Sequence, residues 1–119
     1  MTKTIKHQDV LDFWFTEIAP ESWFKKDTVF DAALNTRFGR TVADAVAGKL
    51  DHWADHSNGC LALIILMDQF TRNIFRGSAR AFSGDDMALA LSLRCVDRRY
   101  LESAKAPQCK FMLMPMMHS

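Results

Sequence analysis

The chain has 119 residues, the length of one domain, and carries 15 Lys and Arg against 14 Asp and Glu. The resulting net charge of +1, with no basic block, excludes the electrostatic footprint of a nucleic-acid binder. Hydrophobic residues at 49% and charged residues at 24% exclude a disordered chain.

The first predicted helix covers His7 to Glu17, with Val10, Leu11, Trp14 and Ile18 at helical spacing. Pro20 ends it, because proline has no N–H to donate and restricts Ala19. The segment "PESWFKKD" repeats the Trp-Phe pair nine residues on, and both pairs read as core anchors. Asp27 is placed to cap the second helix, which runs to about Ala47. Phe30, Leu34, Phe38, Val42 and Ala45 form its apolar stripe. Gly48 supplies the left-handed residue that stops it. Gly39 inside the helix costs roughly 1 kcal/mol against Ala, which suggests close helix packing.

In "LDHWADH", His52 and His56 are four apart, but no third ligand motif follows. The stretch reads as a surface turn anchored by Trp53, and no metal or other cofactor is expected. Ser57 is expected to cap a central helix from about Asn58 to Phe75, ended by Gly77, and Ser83 to cap another from Gly84 to about Tyr100. Asp85 and Asp86 suit the positive end of that helix's dipole. A loop around Pro107 leads to the last segment, "KFMLMPMMHS". The pattern predicts an all-α fold of antiparallel helix pairs joined by short loops.

The central helix is apolar on every side from Leu61 to Leu66, so it belongs in the interior. Asp68, Gln69, Arg72, Asn73 and Arg76 then follow in one short window. Polar groups carried into an interior must satisfy each other, a ligand or trapped water. Two readings stay open. In one, Arg72, Arg76 and Arg80 cradle a carboxylate or phosphate, because a guanidinium offers a fork of donors that stays charged. In the other, Asp68 pairs with Arg72 while Gln69 and Asn73 tie backbone together in a structural network. His118 would serve as a general acid or base only if it reached this polar cluster.

Cys60, Cys95 and Cys109 are odd in number and lack CxxC spacing, so they read as reduced thiols of a cytoplasmic protein. The N-terminal "MTKTIKHQDV" has no apolar stretch of signal-peptide length. The longest apolar run, "CLALIILM", falls far short of the ~20 residues that cross a bilayer, so no membrane association is expected.

Four stretches, "VLDFWF", "WFKKDTVFD", "LALIILMDQFTRNIFRGSARAF" and "MPMMHS", resemble the bacterial DUF924 family, a domain of unknown function. The Asp-Gln-Phe-x-Arg-Asn run followed by Arg-Gly is the specific element, and the match extends over essentially the whole chain. The resemblance implies a tetratricopeptide-like helical fold and brings no established activity. On the same resemblance, Asp68, Gln69, Arg72, Asn73, Arg76, Gly77, Arg80, Phe82, Asp85, His118 and Ser119 are signature positions. Two departures stand out. Family members usually place a glycine after the helix where this chain has Arg98 and Arg99, and they usually continue past the His-Ser. The chain thus resembles an N-terminal portion, and further helices are expected to cover its Met-rich tail. Left uncovered, that apolar surface invites self-association.

Three functions follow as expectations. The domain binds a small anion through Asp68, Gln69, Arg72, Asn73, Arg76 and Arg80. Alternatively, it is an enzyme acting on a small anionic substrate, with His118 as acid/base and Asp68 orienting it. In the third, it is a scaffold for a protein segment.

Overall fold

A computed structural model describes residues 4–118, and every regular element among them is helical. The signature position Ser119 lies outside the described residues. The α-helical segments are α1 (His7–Asp12), α2 (Thr28–Val46), α3 (Ser57–Ile64), α4 (Thr71–Ile74), α5 (Asp85–Asp97) and α6 (Ala106–His118). A wider π-helical stretch, Ile65–Phe70, joins α3 to α4 as one central rod, and a similar turn, Phe13–Glu17, extends α1. Short 3-10 turns at Pro20–Ser22, Asp51–Asp55, Ala79–Phe82 and Tyr100–Glu102 carry the connections.

The rod sits in the middle because its sequence leaves no polar face. Every residue from Gly59 to Thr71 is buried. The α3 part packs against α1, α5 and α6, while α2 lies along the π-helical stretch and α4. Asp27 opens α2 as its sequence predicts, with Oδ1 accepting from the amides of Val29 and Phe30 at 3.0 and 3.1 Å. Leu34, Phe38, Val42 and Ala45 of the α2 stripe are fully buried, and Phe30 is half-buried. Gly48 and Gly77 end their segments with φ of 82° and 84°, where a side chain would be strained.

The two Trp-Phe pairs converge. Trp23 Nε1 donates to the Trp14 carbonyl at 2.8 Å, and the two indoles stack at 6.1 Å. Phe111 of α6 seals them, edge-on to Trp14, Phe15 and Trp23 at 5.6, 5.7 and 4.9 Å. Trp53 is buried and meets His7 edge-on at 5.8 Å, as its anchoring role requires.

Several local expectations are corrected. Ser57 is the first helical residue, with His56 in the capping position and no side-chain cap. Ser83 does not cap α5 either, since its hydroxyl turns back to the Arg80 carbonyl at 2.7 Å and Gly84 takes the cap position. Pro107 stands in the first turn of α6 rather than in a loop, where its missing N–H costs nothing. Gly39 answers its own helix and not a neighbour, because a Cβ there would meet only the Asn35 side chain, at 2.3 Å. Arg99, just after α5, adopts the left-handed conformation, φ 61° and ψ 29°. The Met-rich tail largely packs inward, with Met112, Met114 and Pro115 buried and Met117 exposed.

Candidate functional site

The polar cluster begins where the rod widens. The π-helical stretch spans Ile65–Phe70, so Asp68 and Gln69 leave the backbone inside a distorted turn, a feature that often accompanies functional sites. Asp68 is buried to 2% side-chain exposure. Its Oδ1 accepts from Arg72 Nη1 at 2.8 Å, and its Oδ2 accepts from Gln69 Nε2 at 2.9 Å. Arg72 Nη1 also donates to the Asp68 backbone carbonyl. Gln69 Nε2 reaches Met114 Sδ of α6 at 3.0 Å. The carboxylate is therefore held at both oxygens, from its own rod and from a side chain braced on α6.

His118 arrives from the last turn of α6, with Nε2 3.3 Å from Asp68 Oδ2. The rod and α6 thus bring together two residues fifty positions apart in sequence. The imidazole keeps 38% side-chain exposure while its carboxylate partner has almost none. Arg72 Nη2 donates to Asp85 Oδ2 at 3.2 Å, which joins the first turn of α5 to the same group. The other Asp85 oxygen, Oδ1, is buried and accepts no hydrogen bond among the described residues, although it lies 3.2 Å from Arg72 Nη1. Gly84 makes the approach of α5 possible, because a Cβ there would come within 2.7 Å of the Met67 carbonyl oxygen and of Met67 Cβ. The Arg72 guanidinium carbon lies 5.4 Å from the centre of the Phe82 ring.

A pocket of about 190 Å³ opens here, lined by Asp68, Asp85, Asp86, Leu89, Pro115 and His118. Three carboxylates face it or edge it, and Arg72 answers two of them, so the lining is acidic.

The remaining residues of the polar window form a second group. Asp31 of α2 accepts from Asn73 Nδ2 on Oδ1 at 2.9 Å and from Arg76 Nε on Oδ2 at 2.9 Å. That contact raises the Arg76 guanidinium above its ordinary value, chiefly through the hydrogen bond it donates to Asp31. Arg80 joins neither group and lies over the Phe75 ring at 4.2 Å. The three guanidiniums therefore do not converge on one cradle. Carboxylates of the chain itself engage Arg72 and Arg76, and an aromatic face engages Arg80.

Asp31 was not singled out from the sequence, because its partner lies 42 positions away and it sits beside the apolar stripe of α2. Its place within "WFKKDTVFD", one of the stretches that carry the family resemblance, was the signal at hand. Asp85 was read as a dipole partner and, on the family resemblance, as a signature position, and its contact with Arg72 adds a further role.

The sequence profile of the bacterial proteins of unknown function catalogued as DUF924 matches residues 10–119. A solved structure described as a protein of unknown function, ATU0120, from Agrobacterium tumefaciens superposes with a TM-score of 0.89 at 32% identity. The superposition covers 95% of this chain and 64% of that one, so the chain spans 64% of that relative's length. No curated protein matches. With a profile match over nearly its full length, the chain belongs to the DUF924 family of bacterial proteins of unknown function.

Proposed function

We propose that the Asp68–His118 pocket binds a small molecule carrying an N–H or O–H donor, and that His118 exchanges a proton with it. The observation that carries this reading is the 3.3 Å approach of His118 Nε2 to Asp68 Oδ2 at the edge of the pocket. A buried carboxylate facing one ring nitrogen orients the imidazole and fixes which nitrogen is turned toward a ligand. Asp68 suits that task, since Arg72 and Gln69 hold it at both oxygens. Nδ1 is then the nitrogen left to meet a ligand. The volume, about 190 Å³, is below that of drug-sized sites and suits a ligand of few heavy atoms.

The lining bears on ligand class. Asp85 and Asp86 repel an anion, while Asp85 Oδ1 offers a buried acceptor to a donor group. A neutral or cationic ligand fits better than the anion that the arginines suggest from sequence. Anion binding would require Arg72 or Arg76 to exchange a carboxylate partner already in place. Enzymatic acid–base chemistry on a small neutral or cationic substrate is the corresponding activity.

The test is a thermal-shift titration with small amines and polyols beside acetate and inorganic phosphate, in the parent, His118→Ala and Asp86→Asn. Amines or polyols raising Tm in the parent and not in His118→Ala support the reading. Phosphate or acetate raising Tm instead, or no difference between parent and His118→Ala, overturns it.

A protein segment or a second copy of the chain is the alternative partner, favoured by Leu93 and Val96, exposed on α5. Sedimentation across a concentration series distinguishes it. The finer fold reading, stacked helix pairs of tetratricopeptide character, draws support from α5 and α6, which pack together across a short connection. Among the described residues no helix is long and apolar enough to cross a membrane. Free thiols at Cys60, Cys95 and Cys109 suit a cytoplasmic setting.

A further inference from the structure

Away from the pocket, Cys60 in the first turn of α3 and Cys95 near the end of α5 meet across the crossing of the two helices. Both are 0% exposed, and their Sγ atoms lie 3.6 Å apart. Small buried side chains bring the helices this close, with Ala88, Ser92 and Cys95 following one another along the inner face of α5. Cys60 Sγ lies 3.6 Å from the Leu91 carbonyl oxygen as well, so it points across the interface and not along its own helix. We propose that Cys60 and Cys95 form an oxidisable dithiol, which hydrogen peroxide converts to a disulfide that staples α3 to α5.

The geometry asks little movement. A disulfide holds its sulfurs at about 2.05 Å, so each sulfur moves by under about 1 Å. Cys60 reacts first. The Cys95 thiol donating to it holds Cys60 below the usual thiol range, helped by the Arg94 charge and opposed by burial. The same contact, together with burial, pushes Cys95 well above that range. The Cys60 thiolate attacks one peroxide oxygen and the O–O bond breaks, giving a sulfenic acid and, with a proton taken up, water. The Cys95 sulfur then attacks Cys60 Sγ, the S–O bond breaks, and the oxygen leaves as water with the Cys95 proton. Two thiols and one peroxide thus give one disulfide and two waters. Burial makes local opening of the crossing the gate for the reagent, so the reaction is slower than that of an exposed thiol. Cys109, half-buried with Sγ on the Leu101 and Ala104 carbonyls, has neither sulfur within this reach.

The experiment exposes the native full chain to hydrogen peroxide, blocks remaining thiols, digests with trypsin without reduction and reads the peptides by mass spectrometry. The expected result is a cross-linked pair containing Cys60 and Cys95, formed equally in Cys109→Ser. In that variant the oxidised form should melt at least ~5 °C higher than the reduced form, since closing a loop of this length removes unfolded-state entropy. The rise should vanish in Cys95→Ser and on adding dithiothreitol, with Cys95→Ala replacing the serine variant if a core hydroxyl prevents folding. Cys60 and Cys95 remaining free while Cys109 oxidises overturns the proposal. So does a bridge to Cys109, or a Cys60–Cys95 bridge that forms only in urea.

Discussion

Replacing Arg72 by Met keeps the aliphatic stem of the side chain and removes its charge. Asp68, at 2% side-chain exposure, would then stand in the interior with Gln69 Nε2 and the nearby His118 as its side-chain partners among the described residues. Removing one member of a fully buried pair costs about 3–5 kcal/mol, because the other charge stays desolvated. Arg72 is itself 26% exposed and two other groups remain near Asp68, so the expected loss is about 2–4 kcal/mol. Asp68→Asn should cost less, about 1–2 kcal/mol, since Arg72 retains Asp85 and access to solvent. The double variant should be less destabilised than the sum of the two by about 1–3 kcal/mol, the signature of direct contact. Urea unfolding at neutral pH measures all three, with unchanged slope confirming that only the midpoint has moved. If Arg72→Met and Asp68→Asn both fall within about 0.5 kcal/mol of the parent, the pair behaves as a surface ion pair and the buried-site reasoning fails.

Gly84→Ala forces a Cβ against Met67, backbone included, and should cost about 1–3 kcal/mol in thermal or urea unfolding, whereas Gly39→Ala meets only the exposed Asn35 side chain and should gain about 0.5–1 kcal/mol. Arg99→Gly relieves a left-handed backbone at the loss of a surface ion pair to Glu102 and should raise stability by up to about 1 kcal/mol, read from the urea midpoint. Asp31→Ala leaves the buried Asn73 amide without its acceptor and should cost about 1–3 kcal/mol by urea unfolding. Glu17 is held below its ordinary value of 4.5, chiefly by the hydrogen bond from Arg37. A depressed carboxylate contributes above its unfolded value and loses that contribution as pH falls through the folded one. Glu17→Gln should therefore lower Tm slightly at pH 6 and not at all once the pH is well below that range.

The layout of the bundle was legible because its helices are patterned differently. The α2 stripe shows one buried face, and the rod, apolar on every side, admits no position except the interior. The π-helical widening at Ile65–Phe70 was not legible, since no residue type there demands it and packing by α2 and α5 around the rod accompanies it. Capping was misplaced by a residue at Ser57 and Ser83 because several polar residues near each start could serve. Within the site, the pairing of Asp68 with Arg72 follows from their spacing of four along the rod. The contacts from Asp31, Asp85 and His118 come from three other helices, and only the fold decides which polar residue meets which. That is why three arginines close in sequence left both a shared cradle and a structural network open, while in the fold Arg72 and Arg76 meet carboxylates and Arg80 lies over Phe75.

The most direct measurement is a double-mutant cycle of Asp68→Asn and His118→Ala, read by urea unfolding at one fixed pH. With the imidazole resting 3.3 Å from the buried carboxylate, the two effects should depart from additivity by at least about 0.5 kcal/mol. Additivity within about 0.3 kcal/mol would contradict the dyad and the pocket built on it.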